Sequence, residues 1–179
     1  MRLLWLIFFL IPVCLSAQTF PVDAASGKIY YAEEVLVKDG PKSDLYNRAK
    51  AWFASSKNKK TLNVDDVANG LLIGSNYCML LVQDGHKDQP FRLWYTVKIE
   101  MEDDRYWYSL SNFKIQKDTI PEDSVSGENK KLMQPLELLV LSKNAGNTVR
   151  KADLFYKSLV HAAHNSILVL IKDIKVNML

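Results

Sequence analysis

A regular two-residue alternation of apolar and polar side chains over residues 91–116 constrains this chain more than any other feature. Between Phe91 and Met101 every odd-numbered position is apolar, and most even-numbered positions are polar. A period of two is typical of a β-strand with one dry and one solvent-facing side. The pattern resumes after Asp103-Asp104. The sequence therefore predicts two antiparallel strands joined by a two-residue turn.

A single register satisfies both strands of this predicted hairpin. If Glu102 pairs with Arg105, the apolar residues of both strands share one face. The implied apolar pairs are Met101 with Tyr106, Ile99 with Tyr108, and Val97 with Leu110. After Asn112 the alternation shifts, because Phe113 and Ile115 are apolar in the opposite phase. A β-bulge or a strand buried on both faces explains the shift equally well.

The outward face of the hairpin carries the candidate binding residues, which are Trp94, Trp107, Phe113 and Arg92. Aromatic residues with few charges are typical of binding surfaces, and large exposed apolar patches usually serve a function. Two alternatives stay open. The segment after Lys117 folds back over the rings, or the rings pack in a homodimer.

The first residues have the pattern of a secretory signal peptide. Arg2 supplies a cationic start, residues 3–15 are mostly apolar, and small Ser16 and Ala17 precede polar Gln18. The apolar run is shorter than the roughly 20 residues that a spanning helix needs. We expect cleavage after Ala17 or Ser16, and hence a protein exported to the periplasm, the outer membrane surface or the medium. No transmembrane segment is expected after removal of residues 1–17.

Length and charge limit what the processed chain is expected to do. Of 179 residues, 162 remain after removal of residues 1–17, enough for one domain over residues 18–179. Without Arg2, 22 Lys and Arg face 20 Asp and Glu, a net charge of +2. This balance gives no reason to expect a nucleic-acid partner. Cys78 is then the single cysteine, and its apolar surroundings favour a buried, inert thiol.

The order of the remaining elements predicts an α+β fold. A first strand over residues 29–37 precedes a helix whose apolar residues include Leu45, Trp52 and Phe53, with Ser43 as the expected N-cap. Two or three short strands over residues 61–64 and 71–82 lead into the hairpin. Residues 117–147 predict a mobile loop with a short helix over 136–141. A long C-terminal helix follows, so we expect both main helices on one face of an antiparallel sheet.

This order of elements is that of TBP-like (TATA-binding-protein-like) and helix-grip folds. The chain resembles an exported bacterial family of unknown function with a TBP-like fold, common in Bacteroidetes. The similarity spans about residues 20–116, and its most specific part is Leu-Tyr-Asn-Arg-Ala-Lys-x-Trp-Phe at residues 45–53. Asp104 stands where a glycine is expected in the hairpin turn. The resemblance implies a fold and an envelope location, and it supplies no catalytic residue.

Candidate chemical groups are few, and none forms a recognised catalytic motif. His161 and His164 have a spacing compatible with one metal ion, but structural zinc usually needs four ligands, so we expect no metal site and no cofactor. Asp84, His86 and Asp88 fit a polar hairpin loop better than an acid–base site. No nucleophile motif or phosphate-binding glycine loop is present.

Two functional hypotheses follow from these observations. The favoured one is a non-catalytic envelope module that binds a protein, a glycan or a small apolar ligand through the open sheet face. The alternative is a hydrolase-like enzyme with a site between His86 and the 117–147 loop.

Overall fold

The fold was determined as a computed structural model, which describes residues 20–55, 61–84, 87–118, 133–141 and 150–179. Within these ranges the chain forms six strands and three helices. In chain order they are β1 (Tyr31–Leu36), α1 (Lys42–Ala54), β2 (Thr61–Asp66), β3 (Leu71–Asp84), β4 (Lys87–Glu102), β5 (Arg105–Lys117), β6 (Gln134–Pro135), α2 (Leu136–Leu141) and α3 (Arg150–Met178).

The strands form one antiparallel sheet in the order β1-β5-β4-β3-β2, and β6 pairs with the far end of β5. Helices α1 and α3 contact each other and both pack on β3. Their buried residues, among them Leu45, Trp52, Leu159 and Ile167, share one core with the odd-numbered residues of β4. The predicted α+β, TBP-like arrangement with both main helices on one face is confirmed.

The central hairpin has the register that the sequence predicts. Glu102 pairs with Arg105, and the three predicted apolar pairs are all present. Asp103 and Asp104 form the turn, and Asp104 adopts a positive φ of 65°. Its apolar residues, such as Leu93, Ile99 and Tyr106, are almost completely buried because the helices cover that face.

The hairpin turn also holds the start of α1 in place. The backbone N–H of Lys42 donates to Asp103 Oδ1 at 2.8 Å, and the N–H of Gly40 donates to Asp104 Oδ1 at 3.1 Å. The expectation that Ser43 caps α1 is wrong, because the helix begins at Lys42 and Pro41 occupies the N-cap position without a side-chain bond. A carboxylate distant in sequence therefore serves the free N–H groups of this helix terminus.

A β-bulge explains the shift in alternation after Asn112. Asn112 has a φ of 57°, and the β4–β5 register shifts between Trp94 and Thr96. The extra residue returns Phe113 and Ile115 to the helix-covered face, where they are 1% and 4% exposed. The expectation that Phe113 points to the open face is therefore wrong.

One continuous strand replaces the short strands expected over residues 71–82. β3 runs for 14 residues and pairs with β4 along its whole length. Gly74 lies where α1 approaches the sheet, since a Cβ there would stand 2.5 Å from Phe53 Cε1 and 2.8 Å from the carbonyl oxygen of Thr61. Glycine at this position allows the close packing of α1 on β3.

The C-terminal helix lies along the sheet with a clear division of its sides. Leu159, Ala163 and Ile167 are buried against the core, whereas Leu154 and Leu168 are exposed, as their helical spacing predicts. By length and composition alone, Leu154–Met178 would also be sufficient to cross a membrane. In this structure it packs on β3 instead.

The short helix predicted over residues 136–141 is present as α2. Leu136 is fully buried, and the N–H of Ile29 donates to Glu137 Oε1 at 3.0 Å. Of the rest of the expected loop, Gln134–Pro135 form β6 instead, and residues 119–132 and 142–149 lie outside the described residues, as does the predicted signal peptide.

The bulge generates a prediction about deletion of Asn112. Removing this extra residue restores regular pairing, with Phe113 opposite Tyr95 and with Phe113 and Ile115 still on the helix-covered face. We therefore expect the free energy of unfolding, measured by urea denaturation, to fall by no more than about 2 kcal/mol. Asn112→Gly is the control, because glycine adopts positive φ without steric penalty, and its change should stay within about 1 kcal/mol. A deletion variant that loses about 5 kcal/mol or more, as exposure of both side chains would cause, would show that Asn112 is not the extra residue of the bulge.

Candidate functional site

The face of the sheet opposite α1 and α3 is the candidate binding surface, and we refer to it as the open face. Trp94 lies on it because its neighbours Leu93 and Tyr95 both point into the core. Arg92 and Trp107 lie on it for the same reason of strand alternation, and all three side chains are partly exposed.

Arg92 and Trp94 form one compact cluster with Tyr77 of β3, which we call the aromatic patch. The Tyr77 and Trp94 rings have centroids 4.7 Å apart, and the Arg92 guanidinium carbon lies 5.1 Å from the centre of the Tyr77 ring. Guanidinium stacked on an aromatic face is a favourable cation–π arrangement. The three side chains thus form a stack on two adjacent strands.

Two further contacts fix the orientation of this stack. The indole Nε1–H of Trp94 donates to Gln116 Oε1 at 3.1 Å. Arg92 Nη2 forms an ion pair with Asp118 Oδ1 at 3.0 Å, and the two side chains are 32% and 19% exposed. Because their polar ends are held, the flat faces of the patch are presented with little remaining freedom, which lowers the entropy lost on binding.

Trp107 belongs to a different part of the open face. It pairs with Glu100 of β4, six residues along that strand from Trp94, a separation of about 20 Å at 3.4 Å per residue. The guanidinium of Arg105 lies 5.0 Å from the Trp107 ring centre and also contacts Glu34 and Glu102. The structure therefore places the two predicted tryptophans in separate surroundings, one aromatic and one dominated by ion pairs.

The sequence analysis missed three residues that extend the aromatic patch along β3. One is Tyr77, which belongs to the patch. The other two lie beside the patch and are Met79, which is 47% exposed, and Leu81, which is 69% exposed. All of residues 77–82 are apolar, so alternation within this part of β3 gives no signal. The pairing partners decide instead, because Tyr77 lies opposite Trp94 and Met79 lies opposite Arg92.

Of the described residues after Lys117, Asp118 contacts the aromatic patch through its ion pair with Arg92, and β6 and α2 lie elsewhere. β6 pairs with Lys114 and Ile115 at the edge of β5, and α2 contacts α3 on the opposite side of the sheet. Residues 119–132 and 142–149 lie outside the described residues, and so does His86 of the alternative hydrolase-like site.

A shallow open basin of about 450 Å³ lies apart from this patch. It is formed by the turn after Phe20 and the β5 bulge, with Asp23, Tyr30 and Asn112 in its lining. None of the patch residues lines it. Asp23 is occupied locally, because it accepts bonds from the N–H and hydroxyl of Ser26, which lower the pKa of its carboxyl.

The titratable groups on the helix-covered face have structural contacts. Glu33 accepts from Lys175 Nζ at 2.6 Å and from the Tyr108 hydroxyl at 2.7 Å, and these bonds hold the pKa of Glu33 below its ordinary value. His164 Nδ1 lies 3.2 Å from the Tyr31 hydroxyl, and burial lowers the pKa of this histidine. These contacts link α3 to β1 and β5.

His161 and Cys78 also have ordinary environments. His161 Nε2 lies 3.0 Å from the amide nitrogen of Asn165, so the two histidines face different partners. In the described part of the chain, no three His, Cys, Asp or Glu side chains gather as metal ligands. Cys78 carries a free thiol whose pKa is raised to about 11 by burial, which disfavours the reactive thiolate.

Comparison with known proteins agrees with this architecture. Residues 31–116, which run from β1 nearly to the end of β5, match the family model described as "Domain of unknown function (DUF4468) with TBP-like fold". Residues 31–116 of the chain are thus similar to the DUF4468 family. Among curated proteins, none matches the sequence.

Two crystal structures of DUF4468-type or TBP-like proteins are similar to the chain. A TBP-like protein from Parabacteroides distasonis has a TM-score of 0.64 at 19% identity, covering 88% of this chain and 96% of that one. A DUF4468 family protein from Bacteroides ovatus has a TM-score of 0.62 at 14% identity, covering 88% and 90%. Identity this low establishes the shared fold and no shared activity.

Substitutions in the aromatic patch should have a smaller effect on the stability of the TBP-like fold than substitutions in its core. Trp94→Ala should lower the free energy of unfolding by about 1–2 kcal/mol, because the ring is only partly buried. Trp52→Ala should cost about 3–5 kcal/mol, since that ring is 2% exposed and its indole N–H donates to Asp173 at 2.7 Å. Urea denaturation of both variants measures the difference. Equal losses would mean that Trp94 is a core residue.

Proposed function

We propose that this protein is an exported, non-catalytic binding module that docks a protein partner of the cell envelope through the aromatic patch. The observation that carries the proposal is the pre-oriented stack of Arg92, Tyr77 and Trp94, which is partly exposed and lies beside the exposed Met79 and Leu81. Tyr, Trp, Arg and Met are the residues enriched at protein interfaces, and Trp, Tyr and Arg dominate binding hot spots.

The shape of the surface favours a macromolecule over a small ligand. Small molecules bind in concave sites that bury most of their surface. The patch lies on a sheet face, and none of its residues lines the open basin beside Asp23. A flat surface with an aromatic centre and polar neighbours, here Lys114 and Gln116, has the organisation of a protein–protein contact.

The different surroundings of Trp107 and Trp94 on the open face indicate which residues form the proposed interface. Around Trp107, Arg105 is already paired with Glu34 and Glu102, and Lys98 with Glu100. Exposed ion pairs of this kind contribute little to binding and remain hydrated. Trp94, Arg92 and Tyr77 therefore carry the proposed interface, and Trp107 does not.

Photo-crosslinking in the native cell tests this proposal. A benzophenone amino acid in place of Lys114, which pairs with Trp94 at the margin of the patch, should give one adduct of constant mass with an envelope protein. Trp94→Ala should reduce that adduct at least about tenfold, as removal of a hot-spot ring does.

Trp107→Ala is the matched control, and it should change the adduct less than about threefold because this ring lies outside the patch. An equal loss of the adduct in the Trp94→Ala and Trp107→Ala variants would contradict the proposal that only the aromatic patch forms the interface. Adducts with glycan or lipid alone would identify another ligand class and would overturn the proposed protein partner.

Export rests on the sequence pattern of residues 1–17 and is tested separately. Protein recovered from the envelope should begin at Ala17 or Gln18, as determined by intact mass and N-terminal sequencing. Ile7→Arg interrupts the apolar run and should leave the chain unprocessed inside the cell. An envelope protein that retains Met1 and the whole apolar run would contradict signal-peptide removal.

A further inference from the structure

The two outer strands of the sheet carry features that discourage pairing with other strands. β2 is only six residues long, contains Asp65 and Asp66, and has an irregularity between Leu62 and Val64. β1 is equally short and carries Glu33 and Glu34. Short length, charges and bulges are the usual means by which sheet edges are protected.

The second half of β3 is an edge without such protection. β2 reaches only to Ser75, and beyond that point no strand in the described ranges pairs with the outer side of β3. Residues 71–83 contain no charged residue and no proline. Met79 and Leu81 expose large apolar side chains beside it. We call residues 76–82 the free edge.

The hydrogen-bond phase of the sheet shows which backbone groups lie at the free edge. Met101 N donates to Gly70 O at 2.8 Å, and the β3–β4 register is constant from there to the end of β3. Residues of an antiparallel strand alternate between bonding to one neighbour and to the other. Even-numbered residues of β3 therefore bond to β4, and Tyr77, Met79 and Leu81 direct their N–H and C=O groups to the free edge.

The position of Pro90 agrees with this phase. Pro90 lies opposite Leu81 and has no N–H to donate, which is tolerated because this pair exchanges no hydrogen bonds. Its carbonyl oxygen accepts instead from the N–H of Asp118 in the other direction, at 2.9 Å.

We propose that the free edge pairs antiparallel with the free edge of a second copy of this chain. A two-fold axis at Met79 places Met79 beside Met79 of the second copy and Tyr77 beside its Leu81. Such an interface is self-complementary, since every pair it creates is uncharged and the two backbones match donor to acceptor. Residues 76–82 contain no charge and no proline, so the edge is complementary to itself over its whole length, and a second copy is therefore the occupant that we propose.

The resulting dimer has one continuous sheet. An axis perpendicular to the sheet keeps both open faces on the same side, so two aromatic patches lie on a single surface. The proposal depends on the β3 edge alone and does not require that the patch bind a partner. The dimer accounts for the exposure of Met79 and Leu81 in a single copy, because both residues lie at the interface between the two copies.

Light scattering after size-exclusion chromatography of the full chain tests the proposal. The expected mass is twice that of one chain. Met79→Lys places two like charges together at the axis and should weaken the dimer at least about tenfold. Leu36→Lys is the matched control, because Leu36 is 75% exposed on β1 and far from the edge, and it should leave the mass doubled.

Leu81→Pro provides a second variant that keeps the β3–β4 ladder, because the N–H it removes points only to the free edge. It should also yield the monomer, with an unchanged far-ultraviolet circular dichroism spectrum. A dimer that persists in both variants, or a parent chain that is monomeric, would overturn the proposal.

Amide hydrogen exchange distinguishes this interface from any other contact between copies. In the dimer the amides of Tyr77, Met79 and Leu81 should become protected as concentration rises, whereas those of Cys78 and Leu80 are protected at all concentrations by β4. A dimer in which the three odd-numbered amides still exchange rapidly would place the contact elsewhere, for example on the exposed side of α3, and would refute edge pairing.

Discussion

The register of the β4–β5 hairpin is the constraint on which the rest of the structure depends. Pairing Val97 with Leu110 and Ile99 with Tyr108 gathers the apolar side chains on one face, and both main helices cover that face. A shift by one residue would reverse the facing of every side chain in a strand. The same register that builds the core therefore also determines that Trp94 and Arg92 are presented to solvent.

The turn of this hairpin shows how a locally unfavourable sequence can be suited to its tertiary position. Asp-Asp is a poorer two-residue turn than Asn-Gly, because Asp104 must adopt a positive φ. Its carboxylate and that of Asp103 accept hydrogen bonds from Gly40 and Lys42 at the start of α1. A glycine at position 104 would ease the turn and lose one of these bonds.

Sequence pattern predicted the hairpin, its register, α2 and the exposed positions of Trp94 and Trp107, because each depends on local period or spacing. The sequence pattern failed where the face to which a side chain points depended on a neighbouring strand. Phe113 was expected on the open face, but a single extra residue at Asn112 reversed it. Tyr77 was overlooked because the uniformly apolar residues 77–82 show no alternation, and only its pairing with Trp94 gives it a place in the aromatic patch.

The sequence by itself determined the two faces of the central strands and the amphipathic division of α3, since both follow from the period of side-chain direction along one element. Only the tertiary structure decided which residues meet across strands, which brought Tyr77 to Arg92 and Trp94 and kept Trp107 about 20 Å away along the strand. Within the described residues, it also decided that β2 ends beside Ser75 and leaves residues 76–82 of β3 as an edge. Such contacts join residues distant along the chain, and no local periodicity encodes them.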